Sequence, residues 1–422
     1  MNEPAESRQA EWRDGQAAMK AGQITRAQEL FRKAANAGHA PAQYDLGRLL
    51  VFGMVEGADA AEGVHWLQRA DAERYAPATY QLATLSMGDR LVPFDGAQVF
   101  ERVCTAAAAG HPRALTTLGV FYADETLAEV RALGTLCLEH AALRGDEVAM
   151  ALLAFRLLRG RDVVANVARG AAMLDLLARR GLPVPTMAPN IPRANPAPGA
   201  LGQLPTLPLP RMSTLDTTAS AGNDLCVAPR VREYPEHLGE EQRLCVVLNA
   251  MRHLMPSKTA NPQGHWVRAG LRTSDETLID PLIEDVVLLQ VQRRMAATAG
   301  LPLSHAEPLI VLRYSPGQEY RQHSDCLPEA LVTPVERGGS GQRVATVIAY
   351  LGARCTGGAT TFPRLDLKVP PREGSILCFS NLDSDGRPDP RTVHAGEPVT
   401  DGLKWICTLW MRQGPQRLPR SV

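Results

Sequence analysis

Small and large apolar residues recur along the first part of the chain at intervals of 35 or 36 positions. Ala42, Ala78, Ala114 and Ala149 are separated by 36, 36 and 35 residues, and each is followed four places on by Leu46, Leu82, Leu118 and Leu153. A second series, Phe31, Leu67, Val103, Leu138 and Leu174, leads three residues later to Ala34, Ala70, Ala106, Ala141 and Leu177. It closes at Gly38, Arg74, Gly110, Gly145 and Gly181. Glycine suits a helix end that needs a left-handed residue, so Arg74 is the one departure. Apolar positions at i, i+3 and i+4 predict two amphipathic helices per unit, with alanine where helices approach closely. One unit cannot bury its own apolar face, so the units must stack into an all-α solenoid whose concave side is the default binding face.

The pattern stops at residues 183–210, which hold nine prolines in 28 positions with few charges. A linker of polyproline II character over 183–213 is expected, dividing a repeat domain at 1–182 from a C-terminal domain at 214–422. A ligand for a proline-binding partner is the alternative, although no basic residues frame a P-x-x-P core. Beyond the linker, helical stretches are predicted at 240–254 and 278–297. Short β-branched runs follow at 309–314, 344–351, 365–369, 375–379 and 405–410. Helices followed by many short strands predict an α+β domain, an antiparallel double-stranded β-helix (jelly roll) on supporting helices.

Composition narrows the function. The 422 residues predict two or three domains. Forty-five basic residues balance forty-five acidic ones, which leaves no global field for nucleic acid or an anionic membrane. The first residues lack a basic and apolar leader, and no apolar run approaches the ~18 residues of a membrane span. A cytoplasmic protein is therefore expected. Eight cysteines without a C-x-x-C pair argue against a disulfide framework or a structural zinc site. Only five lysines accompany forty arginines, a bias that points to a GC-rich, bacterial genome and draws notice to any lysine in a chemical motif.

Of ten histidines, His39 and His111 sit at equivalent repeat positions, and most of the others have no partner at ligand spacing. His323-Ser324-Asp325 differs, because side chains two apart on a strand share one side and can share a metal. His394 can add a third ligand from another strand. Two imidazoles and a carboxylate on one face leave positions open, as in non-haem Fe(II) oxygenases.

At 33–47 the pattern K-A-A-x-x-G-H-x-P-A-Q-x-x-L-G resembles the Sel-like class of tetratricopeptide-related repeats, over about 10–182. That resemblance implies scaffolding or recognition of a protein partner. A second one is denser. Tyr314-x-x-Gly317-Gln318-x-Tyr320-x-x-His323-x-Asp325 is followed by Arg343-x-x-Thr346-x-x-x-Tyr350-Leu351, Gly357-Gly358-Ala359-Thr360-x-Phe362-Pro363 and Pro370-x-x-x-Gly374. Then come His394-x-Gly396-x-Pro398-Val399-x-x-Gly402-x-Lys404-Trp405 and Trp410. In order and spacing this resembles the catalytic domain of the prolyl 4-hydroxylases, which are iron- and 2-oxoglutarate-dependent dioxygenases.

The resemblance implies Fe(II) on His323, Asp325 and His394, with 2-oxoglutarate and O2 as cosubstrates and ascorbate as reductant. Lys404 would meet the buried C5 carboxylate of 2-oxoglutarate, which needs a cation, with Tyr314 and Thr360 adding hydrogen bonds. Arg343 and Trp410 match the substrate groove, and Tyr320 lies near the iron. The segment 326–342 reads as a lid, and Cys326-Leu327 departs from the family's aromatic at this point. The implied reaction hydroxylates a peptidyl proline to 4-hydroxyproline with release of succinate and CO2. Two alternatives stay open: the same chemistry on another side chain, a free amino acid or a small peptide, and a catalytically idle scaffold.

Overall fold

In the computed structural model the described residues are 5–182, 219, 221–260, 266–267 and 270–416. The expected linker at 183–213 lies outside them. The described residues divide into two compact units, one running to Ala165 and the other beginning at Asn166 and including the C-terminal sheets.

The first unit contains α1 (Ala5–Lys20), α2 (Ile24–Asn36), α3 (Ala40–Val51), α4 (Ala60–Ala72), α5 (Ala76–Met87), α6 (Gly96–Ala108), α7 (Pro112–Phe121), α8 (Ala128–Leu143) and α9 (Glu147–Arg159). A tenth helix, α10 (Val167–Arg179), belongs by contacts to the second. The repeat alanines and the leucines four places on are buried without exception. Between α3 and α4 the backbones nearly touch, since a methyl group on Gly47 would lie 2.9 Å from the Gly63 carbonyl. Two units later Gly119 and Gly134 repeat that approach between α7 and α8. The unit ends are equally regular. His39, His111 and Asp146 accept the backbone N–H groups of Ala42, Ala114 and Ala149, so the recurring histidines are N-caps. Arg74 takes φ +57°, close to the +78° to +89° of its glycine counterparts Gly38, Gly110, Gly145 and Gly181. The arginine thus carries the strain that glycine avoids.

The second unit has the helices α11 (Glu240–Ala250) and α12 (Val286–Ala299), a larger and a smaller sheet, and a separate two-stranded pair. The strands are β1 (Asn223–Cys226), β2 (Val231–Tyr234), β3 (Met255–Pro256), β4 (Thr259–Ala260), β5 (Trp266–Val267), β6 (Asp275–Leu278) and β7 (Ile310–Tyr314). They continue with β8 (Tyr320–His323), β9 (Arg343–Gly357), β10 (Thr360–Phe362), β11 (Leu367–Val369), β12 (Ile376–Ser380), β13 (His394–Gly396) and β14 (Val399–Arg412). The predicted helix at 278–297 starts late. Its first residues finish β6 and turn at Pro281, and the Asp285 side chain caps α12 by accepting from Leu288 N at 2.8 Å.

The larger sheet has the order β1-β2-β12-β9-β14-β7-β6-β3 and the smaller β11-β10-β13-β8, with every pairing antiparallel. α11 and α12 pack on β9, and α12 also on β12 and β14. Tyr314, Ile348, Tyr350, Leu377 and Phe379 of the large sheet meet Phe362 and Val369 of the small one in a common core. This is the expected double-stranded β-helix, and its interior opens into a cavity between the two sheets.

Candidate metal centre and cosubstrate cavity

Two histidines reach the cavity from neighbouring strands of the small sheet. His323 ends β8 and His394 begins β13, and the two are directly paired in the ladder. Asp325 lies just past β8. His323 Nε2 is 3.4 Å from Asp325 Oδ1, and His394 Nε2 is 3.6 Å from Asp325 Oδ2. The ligand atoms of the three side chains all lie within 4.8 Å of one another, the one such group of three or more among the described residues. Each imidazole has its Nδ1 on a backbone carbonyl, Arg321 O at 2.8 Å and Thr392 O at 3.0 Å. That contact fixes the proton on Nδ1 and turns the Nε2 lone pair inward, as a metal ligand requires. Tyr320 stacks on His323 with ring centroids 3.4 Å apart, while Phe362 and Phe379 enclose His394.

The electrostatics fit a cation. Burial opposes the charge on Asp325, but His394, His323 and Arg343 together hold its carboxyl far below the usual range. Burial, helped by His323, lowers His394 to about 4, so at neutral pH it is the neutral imidazole that binds metals.

Lys404 projects from β14 into the same cavity and is 3% exposed. Its Nζ donates to the Gly358 carbonyl at 2.5 Å and lies 5.3 Å from the Tyr314 ring, its partner across the β7–β14 ladder. Burial lowers it to about 8, and Cys355 and Glu397 only partly offset this. No carboxylate forms an ion pair with it among the described residues. A buried ammonium in this condition is costly unless an anion meets it. Thr360 also lines the cavity, where its hydroxyl meets that of Tyr350 at 2.9 Å. Tyr314 lines it too, its hydroxyl proton held more firmly through burial.

The remaining expected residues separate. Tyr320 and Trp410 line the cavity, and the buried Trp410 Nε1 has no hydrogen-bond partner among the described residues. Arg343 lies over the Trp410 ring at 3.7 Å, with its Nε and Nη2 on Glu307 at 2.7 Å each. Its Nη1 reaches the Asp325 carbonyl at 3.3 Å, and Arg412 donates to the same Glu307 at 2.9 Å. The segment read as a lid is tied at its base, where the Gln342 amide bonds both the N–H and the carbonyl of Leu327. One charged cavity residue lies outside the residues expected from the sequence. Arg272 is buried against the Tyr320 ring at 5.1 Å, and it comes from a stretch where no motif had been noticed.

Comparisons with known proteins identify the family. Residues 309–412 match the family model of the 2OG-Fe(II) oxygenase superfamily. The chain is 33% identical over 207 residues to probable prolyl 4-hydroxylase 9 of Arabidopsis thaliana, covering 44% of this chain and 70% of that one. Against prolyl 4-hydroxylase 1 of the same plant it is 33% identical over 164 residues, covering 36% and 56%. Among solved structures, the viral collagen prolyl hydroxylase of Paramecium bursaria Chlorella virus-1 aligns at 26% identity and TM-score 0.35, over 43% of this chain and 95% of that one. The Sel1 repeat protein of Oxalobacter formigenes aligns at 21% and 0.37, over 41% and 73%. The C-terminal domain is one of the 2OG-Fe(II) oxygenase superfamily, and the chain belongs within it to the prolyl 4-hydroxylase family. It spans little more than half the length of the second of these plant relatives.

Proposed function

We propose that this protein hydroxylates a proline in a peptide or protein, using Fe(II), 2-oxoglutarate and O2 and releasing succinate and CO2. One observation carries the reading: Lys404, a buried ammonium without an ion-pair partner among the described residues, shares its cavity with an inward-turned pair of imidazoles and a carboxylate. Such a cavity suits a ligand that has a metal-chelating end and a distant carboxylate. His323, Asp325 and His394 hold the Fe(II), which when bound supplies the oxidative chemistry. Lys404 takes the C5 carboxylate of 2-oxoglutarate, with the Thr360 and Tyr314 hydroxyls beside it. Tyr320 and Trp410 form the apolar wall that admits a proline ring and excludes water, and Arg343 braces Trp410 from behind.

The balance is one O2 and one 2-oxoglutarate per proline, with one oxygen atom entering succinate and the other the hydroxyl group. The first unit recruits the protein target through its repeats. Mass spectrometry of host proteins with and without this protein tests the reading. An increase of one oxygen on specific prolines is expected, and an unchanged proline pattern with labelled free amino acids instead would favour the small-substrate alternative.

A further inference from the structure

The two histidines of the triad are built into the small sheet, but Asp325 lies beyond the end of β8 and needs support from elsewhere. That support comes from the large sheet. Thr346, near the start of β9, is fully buried, and its Oγ1 donates to Asp325 Oδ2 at 2.7 Å. A hydroxyl has one hydrogen, so its contact with Asn381 must run the other way, with Asn381 Nδ2 donating to Thr346 Oγ1 at 3.0 Å. Asn381 is itself 2% exposed and fixed by its backbone, N–H to Val344 O and carbonyl to Asp389 N, both at 2.9 Å.

We infer that Thr346 and Asn381 form a directional relay, amide to hydroxyl to carboxylate, that positions Asp325 as a metal ligand. The inference rests on the metal assignment made above. The relay occupies Oδ2 from the large sheet and leaves Oδ1 facing His323. It also ties the two sheets together across the cavity at the ligand that no strand holds. Outer partners of this kind are worth ~10- to 100-fold in metal affinity.

Titration of the full chain with Co(II), followed by the visible ligand-field absorption, tests this without turnover. Thr346→Val should bind Co(II) ~10- to 100-fold more weakly and show an altered spectrum. Thr346→Ser, which keeps the hydroxyl, should restore both. Asn381→Ala should lie between them, because the hydroxyl remains but loses its orientation. Should Thr346→Val fail to fold, the Asn381→Ala and Thr346→Ser pair still decides the matter. Equal binding and spectra for wild type, Thr346→Val and Asn381→Ala would overturn the relay, as would a loss in Thr346→Ser as large as that in Thr346→Val. A wild-type protein that takes up no Co(II) would instead overturn the metal assignment and this inference with it.

Discussion

His323 and His394 face each other as a register pair of the β8–β13 ladder, with ring centroids 4.2 Å apart and each Nδ1 on the carbonyl of the residue two places before it. The two imidazoles are set by the same local device on antiparallel strands. Both lone pairs converge because the strands are paired, and Asp325 closes the third side.

Removal of any one ligand should therefore abolish tight binding. His323→Ala, Asp325→Ala and His394→Ala each leave two protein ligands, and Fe(II) affinity and uncoupled 2-oxoglutarate turnover should collapse together. Anaerobic Fe(II) titration of each variant checks this. An alanine variant that kept wild-type affinity would remove that residue from the site.

Lys404 gives a pH signature. In the folded protein it sits at about 8 against an ordinary 10.5 because burial disfavours the ammonium. Below pH 8 the protonated amine burdens the ligand-free fold by roughly 3 kcal/mol. Since the folded state binds fewer protons than the unfolded one between these values, stability should rise as pH climbs from 8 to 10.5. Cosubstrate binding needs the charge, so KM for 2-oxoglutarate should rise above pH 8 by up to ~tenfold per unit. Lys404→Arg stays protonated and should lack that rise, at a weaker baseline. Lys404→Ala should raise KM by ~two to three orders of magnitude. A wild-type KM flat from pH 7 to 10 would place the carboxylate elsewhere.

What could be read from the sequence and what could not follows from how far each interaction reaches along the chain. The helix pairs were legible because Ala42, Leu46 and their counterparts recur at a fixed interval and pack as neighbours. His323, Asp325, His394 and Lys404 were legible because their side-chain chemistry is rare and their spacing specific. Thr346 stands in the motif without a role and Asn381 outside it, since neutral residues 35 positions apart acquire a role only through a contact across the fold. Arg272 was hidden for the same reason. The false start of the second helix came from reading apolar periodicity through Pro281, where the chain is still leaving a strand.

Glu307 should behave as a structural keystone. Burial works against its charge, but the guanidinium groups of Arg343 and Arg412 overcome this and lower it below the ordinary 4.5. Glu307→Gln would leave two buried arginines uncompensated, at a cost of ~3 to 5 kcal/mol. Because the folded state holds the depressed value, the wild-type advantage should be full above pH 4.5 and shrink as pH falls through the folded value. Urea unfolding of both proteins at pH 7 and pH 4 measures it, and a gap that widened in acid would contradict the ion-pair account.

The contact division at Ala165 also makes the role of the repeats testable. A fragment of residues 166–422 should fold and turn over 2-oxoglutarate, and it should melt at a higher temperature than 214–422, which lacks α10. If the repeats recruit the target as proposed, loss of residues 1–165 should remove recruitment and leave the cavity residues, all in the second unit, in place. A tether can hold a target at up to ~millimolar effective concentration, so its removal should raise KM for a protein target while sparing KM for 2-oxoglutarate and turnover of a short proline peptide. Steady-state kinetics of the full chain and the 166–422 fragment on both substrates separate these effects. Equal kinetics on the protein target would show that the helical unit serves something other than substrate capture, and a parallel loss on the short peptide would mean that the unit supports the catalytic fold itself.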